Sequence, residues 1–448
     1  MHVPFRDRIP VLRGLLVLAG ASALFASAPF AAPLEAGPAW SPSLMAPDTT
    51  TSPPAAGPPP GRVRLDLTPQ SPATALTGVP IPGGLPEEPR IETRTENGQH
   101  HATFWGRYNR VEGMALHLSL VRRLTFKDFV PAYRGEIGFA FAADRGQYHL
   151  GLEQPVAPRS KITLGAEGYR NFLPFFYQEE ALSSEENTAS ALLLHKDYWD
   201  WYEAEGLRGF VGLYPSPFFN LQLGILQQDE ASLENNTDWS LFNQRDDFVT
   251  NPSIVEGEYR AFQVKMSYDS RPKDWQKDIR PRSSWGGVEY WYRAGWERAD
   301  GGLGGDFDLW RVDADFRNYF RVSTRQTIAT RIFAGTGENN GAPLPPQRRF
   351  ALGGLGTLRG HNYRSEEGNH AVLANIEYSF SMGNRERATA LFFIDSGAAW
   401  DVGSLFDQFI PVDVGAGLRL GDITMLVATA VNRSDTGAKF FVRFQESF

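Results

Sequence analysis

The amino-acid sequence predicts an all-β protein, a transmembrane antiparallel β-barrel, on three observations. From about residue 103 to Phe448, segments of about ten residues alternate apolar and polar side chains. Glycine, asparagine, aspartate and proline separate these segments, and aromatic residues recur near their ends. After the N-terminal region no apolar stretch is long enough to cross a membrane as a helix. Strands are therefore the predicted membrane-crossing elements.

The alternation is clearest between Phe307 and Phe320. Successive residues of a strand point to opposite sides of the sheet. One face carries Trp310, Val312, Ala314, Phe316 and Phe320, and the other carries Arg311, Asp313, Asp315 and Arg317. A membrane barrel turns its apolar face to lipid and its polar face to a wet lumen.

Segments with the same pattern recur along the chain and set the expected strand number. Two of them run from Ser284 to Glu297 and from Ala371 to Phe380. Others begin near Gly113, Arg134, Gln147, Ile162, Gly209, Asn220, Tyr259, Thr324, Thr389, Val412 and Ile423, and the last covers Ala438 to Phe448. The count is about fourteen to sixteen, and bacterial barrels have an even number of strands. We predict sixteen strands.

Composition narrows the class of protein. The chain has 448 residues, a formal charge of −8 and no cysteine. Its net negative charge argues against a nucleic-acid partner, which would require a basic surface. Its mean hydropathy of −0.33 is too polar for a helical membrane protein. A barrel tolerates this value because only alternate residues face lipid.

The N-terminal region predicts export and a linker. Arg6, Arg8 and Arg13 precede an apolar run from Gly14 to Phe25, and small residues follow it. This order is typical of a signal peptide, and an N-terminal membrane anchor is the alternative. The predicted organisation is a signal peptide over 1–32, a Pro-rich periplasmic linker over 33–100 and an outer-membrane barrel over 101–448. We expect cleavage between Ala28 and Ala36, and localisation in the outer membrane of a Gram-negative-type bacterium.

The C-terminal segment has a pattern of its own. Phe440, Phe444 and Phe448 share one face of the last predicted strand. An aromatic strand ending on Phe resembles the signal that outer-membrane assembly machinery reads, although Glu446 stands where an aromatic residue is commoner. The expected partners are this machinery during folding, together with outer-membrane lipid and lipopolysaccharide.

The glycine-rich run from Phe350 to His361 breaks the strand pattern and predicts a tight loop. It lacks the Lys-Ser/Thr ending of a P-loop, which excludes that nucleotide site. Leu358, Arg359, Gly360 and His361 resemble the Val-Arg-Gly-Phe/Tyr loop of the BamA/TamA (bacterial surface antigen) superfamily. His361 stands where that family has an aromatic residue.

The resemblance extends over several strand motifs. The sequence from Phe393 through Asp395 to Gly397 is similar to the family's Phe-x-Asp-x-Gly, and Tyr268 to Arg271 resembles its Tyr-Asp-x-Arg. The next strand motif contains Gly415, Gly417 and Arg419. The family pattern implies an extracellular loop that folds into the lumen. It also implies that Arg359 meets acidic residues on the two following strands, here Glu377 and Asp395.

Alternation independently assigns Glu377 and Asp395 to the polar, lumen-facing side of their strands. A guanidinium between two carboxylates forms charge-assisted hydrogen bonds that are strong where water is limited. We therefore expect Arg359 to pin the loop. Ordinary, unpaired lumen charges are the alternative.

The resemblance implies a role in outer-membrane biogenesis, through insertion or translocation of client proteins or lipids. A passive channel for small solutes is the alternative. The linker is too Pro-rich for a POTRA domain, so we expect a member lacking POTRA domains. Lateral opening would involve the strand near Gly113 and the last strand. We expect no enzyme activity, catalytic residue, cofactor or metal. His100–His101 have no further ligands nearby in sequence, and nothing in the sequence indicates that His361, Ser365, Glu366 and His370 lie within hydrogen-bond reach of one another. The cluster from Lys196 to Tyr202 predicts an aromatic belt, loop packing or a substrate-facing patch.

Overall fold

The computed structural model describes residues 91–94, 100–126, 129–175, 182–242, 247–270, 288–323, 325–382, 388–421, 423–432 and 437–443. The predicted signal peptide, most of the predicted linker, Arg271, Phe444 and Phe448 lie outside the described residues.

Strands are the dominant element of the described chain. In order, the strands are β1 Ile91–Arg94, β2 His100–Asn109, β3 Gly113–Arg122, β4 Ala132–Ala140, β5 Arg145–Ala157, β6 Ile162–Pro174, β7 Trp201–Ser216, β8 Phe219–Ser232, β9 Gly257–Asp269, β10 Val288–Ala299, β11 Leu309–Ser323, β12 Gln326–Glu338, β13 Phe350–Leu352, β14 Glu366–Gly368, β15 His370–Met382, β16 Ala388–Trp400, β17 Val412–Leu420, β18 Ile423–Ala430 and β19 Lys439–Arg443. Within the described ranges one α-helix, α1, covers Ser184–Leu194, between β6 and β7.

Antiparallel pairing joins the wall strands in sequence order, from β2 through β12 and then from β15 to β19. These sixteen strands confirm the predicted all-β barrel class and strand number. Strand β1 is a short addition on β2, and β13 pairs only with β14. The prediction that placed the first barrel strand near Gly113 is wrong by one strand. The first strand of the wall is the preceding segment, His100–Asn109. Few of its apolar residues alternate with polar ones, yet it pairs with β3 along its whole length.

Burial is inverted relative to a water-soluble protein. On β11, Arg311, Asp313 and Asp315 are at most 6% exposed. On the outer face of the wall, apolar side chains such as Leu118 and Leu207 are more than half exposed. Apolar groups outside and charges inside are what a wall between lipid and a polar lumen requires.

Among the described residues, no helix is long and apolar enough to span a membrane.

The connections distinguish the two ends of the wall. Residues 175–200, 233–256 and 339–369, the three longest connections, follow β6, β8 and β12, which all run in the same direction. At the opposite end, β7 and β8 are joined by two residues, 217 and 218. Outer-membrane barrels have longer loops outside and shorter turns in the periplasm. The end with the three long loops is therefore the extracellular end.

Buried polar contacts tie the extracellular loops together. Arg110, in the turn after β2, donates to the carbonyl oxygens of Asp197 at 3.0 Å and Trp199 at 2.8 Å. It also donates to Asp200 Oδ1 at 2.7 Å and Asn251 Oδ1 at 3.2 Å. Burial is the strongest influence on the pKa of the Asp197 carboxyl and raises it, although Arg110 opposes the change. Three extracellular connections thus converge on one guanidinium, and the aromatic cluster around Trp199 serves loop packing.

We expect Arg110→Ala to loosen this extracellular cap and leave the wall folded, because the lost contacts are all between loops. Protease added to intact cells should cleave the variant faster within residues 233–256. The matched control is Arg298→Ala, whose partners Asp300 and Asp308 are about half exposed. Equal cleavage of Arg110→Ala and the control would contradict the prediction.

Candidate functional site in the barrel lumen

The loop over 339–369 enters the barrel and turns back. Leu352 of β13 and Glu366 of β14 are register partners and enclose residues 353–365. Gly353, Gly354 and Gly356 all have positive φ, from +83° to +118°. Side chains other than glycine rarely adopt this backbone conformation, so the glycine-rich sequence permits the sharp turn. At its tip Leu358 is fully buried and Arg359 is 2% exposed.

Arg359 binds both carboxylates that the family pattern assigns to it. Its Nε and Nη2 donate to the two oxygens of Asp395, at 2.8 and 2.7 Å. Its Nη1 donates to Glu377 Oε2 at 2.9 Å, and its backbone N–H donates to Asp395 Oδ2 at 3.3 Å. Glu377 and Asp395 are at most 2% exposed. The guanidinium therefore holds a bidentate pair and a second ion pair away from water.

The Phe393 ring supports the guanidinium from β16. The Cζ of Arg359 lies 3.5 Å from the centroid of this ring, a cation–π contact. Gly415 makes the ring's position possible, because a Cβ there would lie 2.2 Å from Phe393 Cζ. This glycine of the strand motif therefore acts through Phe393 on Arg359.

A third carboxylate, Asp413 on β17, extends the site and was missed by sequence reasoning. It accepts from the Gly360 backbone N–H at 2.6 Å and pairs with His361 Nδ1 at 2.8 Å. A Cβ on Gly360 would lie 2.6 Å from the backbone nitrogen of Ala430, so only glycine fits. His361, the departure from the family's aromatic residue, thus has a carboxylate partner. The signal for Asp413 was its position two residues before Gly415.

A second arginine cluster holds the side of the loop that faces β11 and β12. Arg331 donates to Asp315 Oδ2 at 2.7 Å and to the carbonyl of Gly356 at 2.7 Å. Asn375 donates to the carbonyl of Thr357 and to Asp395, both at 2.8 Å. Alternation placed Asp315 on the polar face, but no motif indicated that Arg331 or Asn375 would reach the loop.

The remaining predicted residues lie in the wall. A Cβ on Gly397 would lie 2.4 Å from the carbonyl oxygen of Val372, and one on Gly417 would lie 2.4 Å from Leu426 Cδ2. Both glycines therefore serve close strand packing. Arg419 donates to Thr424 on the next strand at 3.1 Å. Phe440 is 64% exposed on the outer face of β19.

The histidines that the sequence raised as candidate ligands are dispersed. His100 and His101 belong to β2, and His370 Nδ1 lies 2.7 Å from Thr336 Oγ1. Within the described ranges, no group of three or more histidine or acidic side chains is arranged to hold a metal ion.

Comparison with known proteins identifies the architecture. Residues 238–422 match the Omp85 superfamily domain. Over this stretch the chain is similar to the Omp85 superfamily. This confirms the resemblance to the BamA/TamA type, and with it localisation in the outer membrane of a Gram-negative bacterium. No curated protein matches the chain.

Three solved structures are similar to the chain, and the first of them shows the same fold. BamA from Haemophilus ducreyi lacking POTRA domains 1–3 is similar with a TM-score of 0.51 and 12% identity, covering 77% of this chain and 69% of that chain. CdiB from Escherichia coli (TM-score 0.41, 13% identity) covers 78% of this chain and 62% of that chain. CdiB from Acinetobacter baumannii (TM-score 0.38, 12% identity) covers 75% and 57%. The chain thus spans less than two thirds of either CdiB structure.

We expect Arg359→Ala to reduce the fraction of folded, heat-modifiable barrel, because Glu377 and Asp395 would keep buried charges without their partner. Removal of one side of a buried ion pair costs about 3–5 kcal/mol. Arg349→Ala is the control, since this arginine of the same loop pairs with the partly exposed Asp401. Gel mobility with and without heating measures the folded fraction. Normal heat-modifiability of Arg359→Ala would show that the loop is held without this pair.

We expect Gly415→Ala to destabilise the barrel by about 1–3 kcal/mol, the usual cost of overpacking, because the new methyl group would overlap the carbonyl oxygen of Val427 and the Phe393 ring that supports Arg359. Gly209→Ala on β7 is the control, since a Cβ there meets no atom within 4 Å. Urea unfolding in detergent micelles, followed by tryptophan fluorescence, compares the two. Equal midpoints would contradict the link from Gly415 to Arg359.

Proposed function

We propose that this protein assists outer-membrane biogenesis by inserting or translocating client protein or lipid. The observation that carries the proposal is the loop pinned inside the lumen by Arg359 in a chain similar to the Omp85 superfamily. The proposed partners are outer-membrane lipid and lipopolysaccharide, the outer-membrane assembly machinery during folding, and client proteins or lipids. We propose that residues 1–32 are the export signal that directs the chain towards the outer membrane, and that residues 33–100 are a periplasmic linker before the barrel.

The passive channel is the second candidate, and the lumen argues against it. An open pore bathes its lining charges in water. Here lumen-facing charges at several heights are almost fully buried: Arg107 is 1% exposed, Arg331 0% and Glu297 5%. Their partners are other side chains, as in the pair between Arg107 and Glu112. This favours a barrel whose lumen is filled by side chains and whose function depends on the strands of its wall, not on an open pore.

Depletion of the protein followed by quantitative outer-membrane proteomics and lipid analysis tests the proposal. We expect a subset of outer-membrane proteins, or surface lipopolysaccharide, to fall. Complementation with Arg349→Ala should restore it, and Arg359→Ala should not. An unchanged inventory of proteins and lipids, with slower uptake of small solutes, would favour the passive channel.

Planar-bilayer conductance separates the two candidates in vitro. Replacement of residues 353–365 by two glycines retains the β13–β14 pairing, because Leu352 and Glu366 are register partners. We expect low conductance from the intact protein and a marked increase on replacement, because the loop blocks the lumen. A shortened 402–408 loop is the control, since Phe406 is 95% exposed. Large, stable and selective conductance of the intact protein would support the channel.

A further inference from the structure

The two ends of the barrel wall are β2 and β19. In the described ranges, β19 pairs with β18 only, and β2 pairs with β1 and β3. Over the described residues, the edge of β2 that faces the seam between β2 and β19 is bound by β1 at residues 101–104 and not by β19. An exposed strand edge is a template for another strand. Another strand can therefore pair with β2 only where no other part of the chain covers this edge.

Helix α1 covers the extracellular part of the β2 edge. The backbone N–H of Tyr108 donates to Thr188 Oγ1 of α1 at 3.3 Å. Tyr108 is the register partner of Met114, whose carbonyl accepts from Phe141 on the opposite side of β3. Directly opposed residues of an antiparallel pair either bond each other or both face away. The Tyr108 N–H therefore faces the seam, and the Thr188 hydroxyl takes the place of a strand carbonyl.

The N-terminal end of α1 is held on the lumen side of the last strand. Glu186 Oε1 lies 3.3 Å from Arg443 Nε, and both side chains are at most 4% exposed. Arg443 faces the lumen, because its register partner Thr424 is buried, whereas the preceding Val442 is half exposed on the outer face. The helix thus bonds both end strands of the wall.

The C-terminal end of α1 is held on the lipid side of the first strand. Tyr108 shares the outer face of β2 with Phe104, which is 46% exposed, yet Tyr108 is only 5% exposed. Ala191 of α1 and Phe248 cover its ring. A helix that meets Arg443 from the lumen and Tyr108 from outside passes through the seam.

The outer end of α1 continues the apolar belt of the wall. Leu241 N–H donates to the Leu192 carbonyl at 2.8 Å, which attaches residues 239–242 to the helix. The exposed apolar side chains here are Leu193, Leu194, Trp239, Leu241 and Phe242, which are 38–59% exposed. We expect lipid to contact these side chains, since a tryptophan among them suits the membrane interface.

We propose that α1 is a seam latch, a helix of this chain that occupies the extracellular part of the lateral opening between β2 and β19 and must leave before an incoming extended strand can pair with that part of β2. Strand β1 covers the rest of the same edge, with Ile91 opposite Phe104 and Arg94 opposite His101. The role in opening rests on the proposed function, whereas the position and release of α1 do not.

Cysteine labelling in the full-length protein tests the latch, because the chain has no native cysteine. Ala191→Cys places a reporter thiol at a position with 0% exposure. In liposomes, a water-soluble maleimide should modify it slowly. Glu186→Gln keeps the capping box that Ser183 and Glu186 form, since Gln serves there as well as Glu, but it removes the charge that binds Arg443.

We expect labelling of the reporter thiol to become faster by on the order of tenfold with Glu186→Gln or Arg443→Gln, as a buried pair loses one partner. Arg349→Gln is the matched control and should leave the rate unchanged. If either latch variant fails to become heat-modifiable, Thr188→Val replaces it, since it removes only the bond to Tyr108. Fast labelling without any latch substitution, or the same rate in all variants, would overturn the latch.

A functional arm separates failure of the latch from failure of the proposed function. Cysteines introduced at positions 186 and 443, joined by a short bifunctional thiol reagent, lock α1 to β19. Locked liposomes should no longer insert an unfolded outer-membrane barrel chain, and cleavage of the linker should restore insertion. Insertion at full rate by the locked protein would overturn the latch. Latch-dependent labelling without insertion by any variant would support the latch and contradict the proposed function.

Discussion

The buried charge of Arg359 is the constraint on which the lumen depends. A guanidinium withdrawn from water must find carboxylates in good geometry, since its desolvation costs several kcal/mol. Two adjacent strands supply them as Glu377 and Asp395. Because each strand presents alternate residues inward, this pairing sets the depth of the loop and the register of β15 against β16. The loop cannot leave the barrel without exposing three charges to an unmatched environment.

Other buried arginines of the lumen are also paired with carboxylates. Arg107 with Glu112, Arg331 with Asp315 and Arg348 with Glu230 are all buried pairs that join wall strands or loops. A barrel of this width would enclose water if its interior were lined by small polar residues. Here long arginines cross the space and bond to backbone carbonyls as well as to carboxylates. The interior is thus packed with paired charges, while the apolar residues face lipid.

The seam differs from the remainder of the wall in how its backbone groups are satisfied. Elsewhere each wall strand forms a ladder of backbone hydrogen bonds with the strands before and after it, and another strand could not easily replace either partner. At the edge of β2 a short strand, β1, covers residues 101–104, and near the extracellular end a threonine hydroxyl of α1 makes the bond, assisted by one ion pair to Arg443. Such contacts are fewer and more local than a strand ladder. The wall therefore has its weakest joint where its first and last strands meet.

How much the sequence reveals depends on whether the information is local. Alternation with period two indicated fifteen of the sixteen wall strands, because the side of a strand is decided by residue parity alone. It missed β2, where Gly106 and Tyr108 occupy outer positions and few apolar residues alternate. The order of the loop and strand motifs was enough to name Glu377 and Asp395 as partners of Arg359. Alternation independently placed both carboxylates on the lumen-facing side of their strands.

The sequence by itself determined the class of fold, since residue parity decides which side of a strand a side chain occupies. Its resemblance to the BamA/TamA superfamily implied the inward loop and the central ion pair. Only the tertiary structure decided which other groups complete the site. Asp413, Arg331 and Asn375 reach the loop because barrel closure and strand register bring distant segments together. The position of α1 is of the same kind: its sequence has no strong amphipathic face, and its place follows from partners 80 and 257 residues away. Local pattern cannot encode contacts between strands that meet only when the wall curves round.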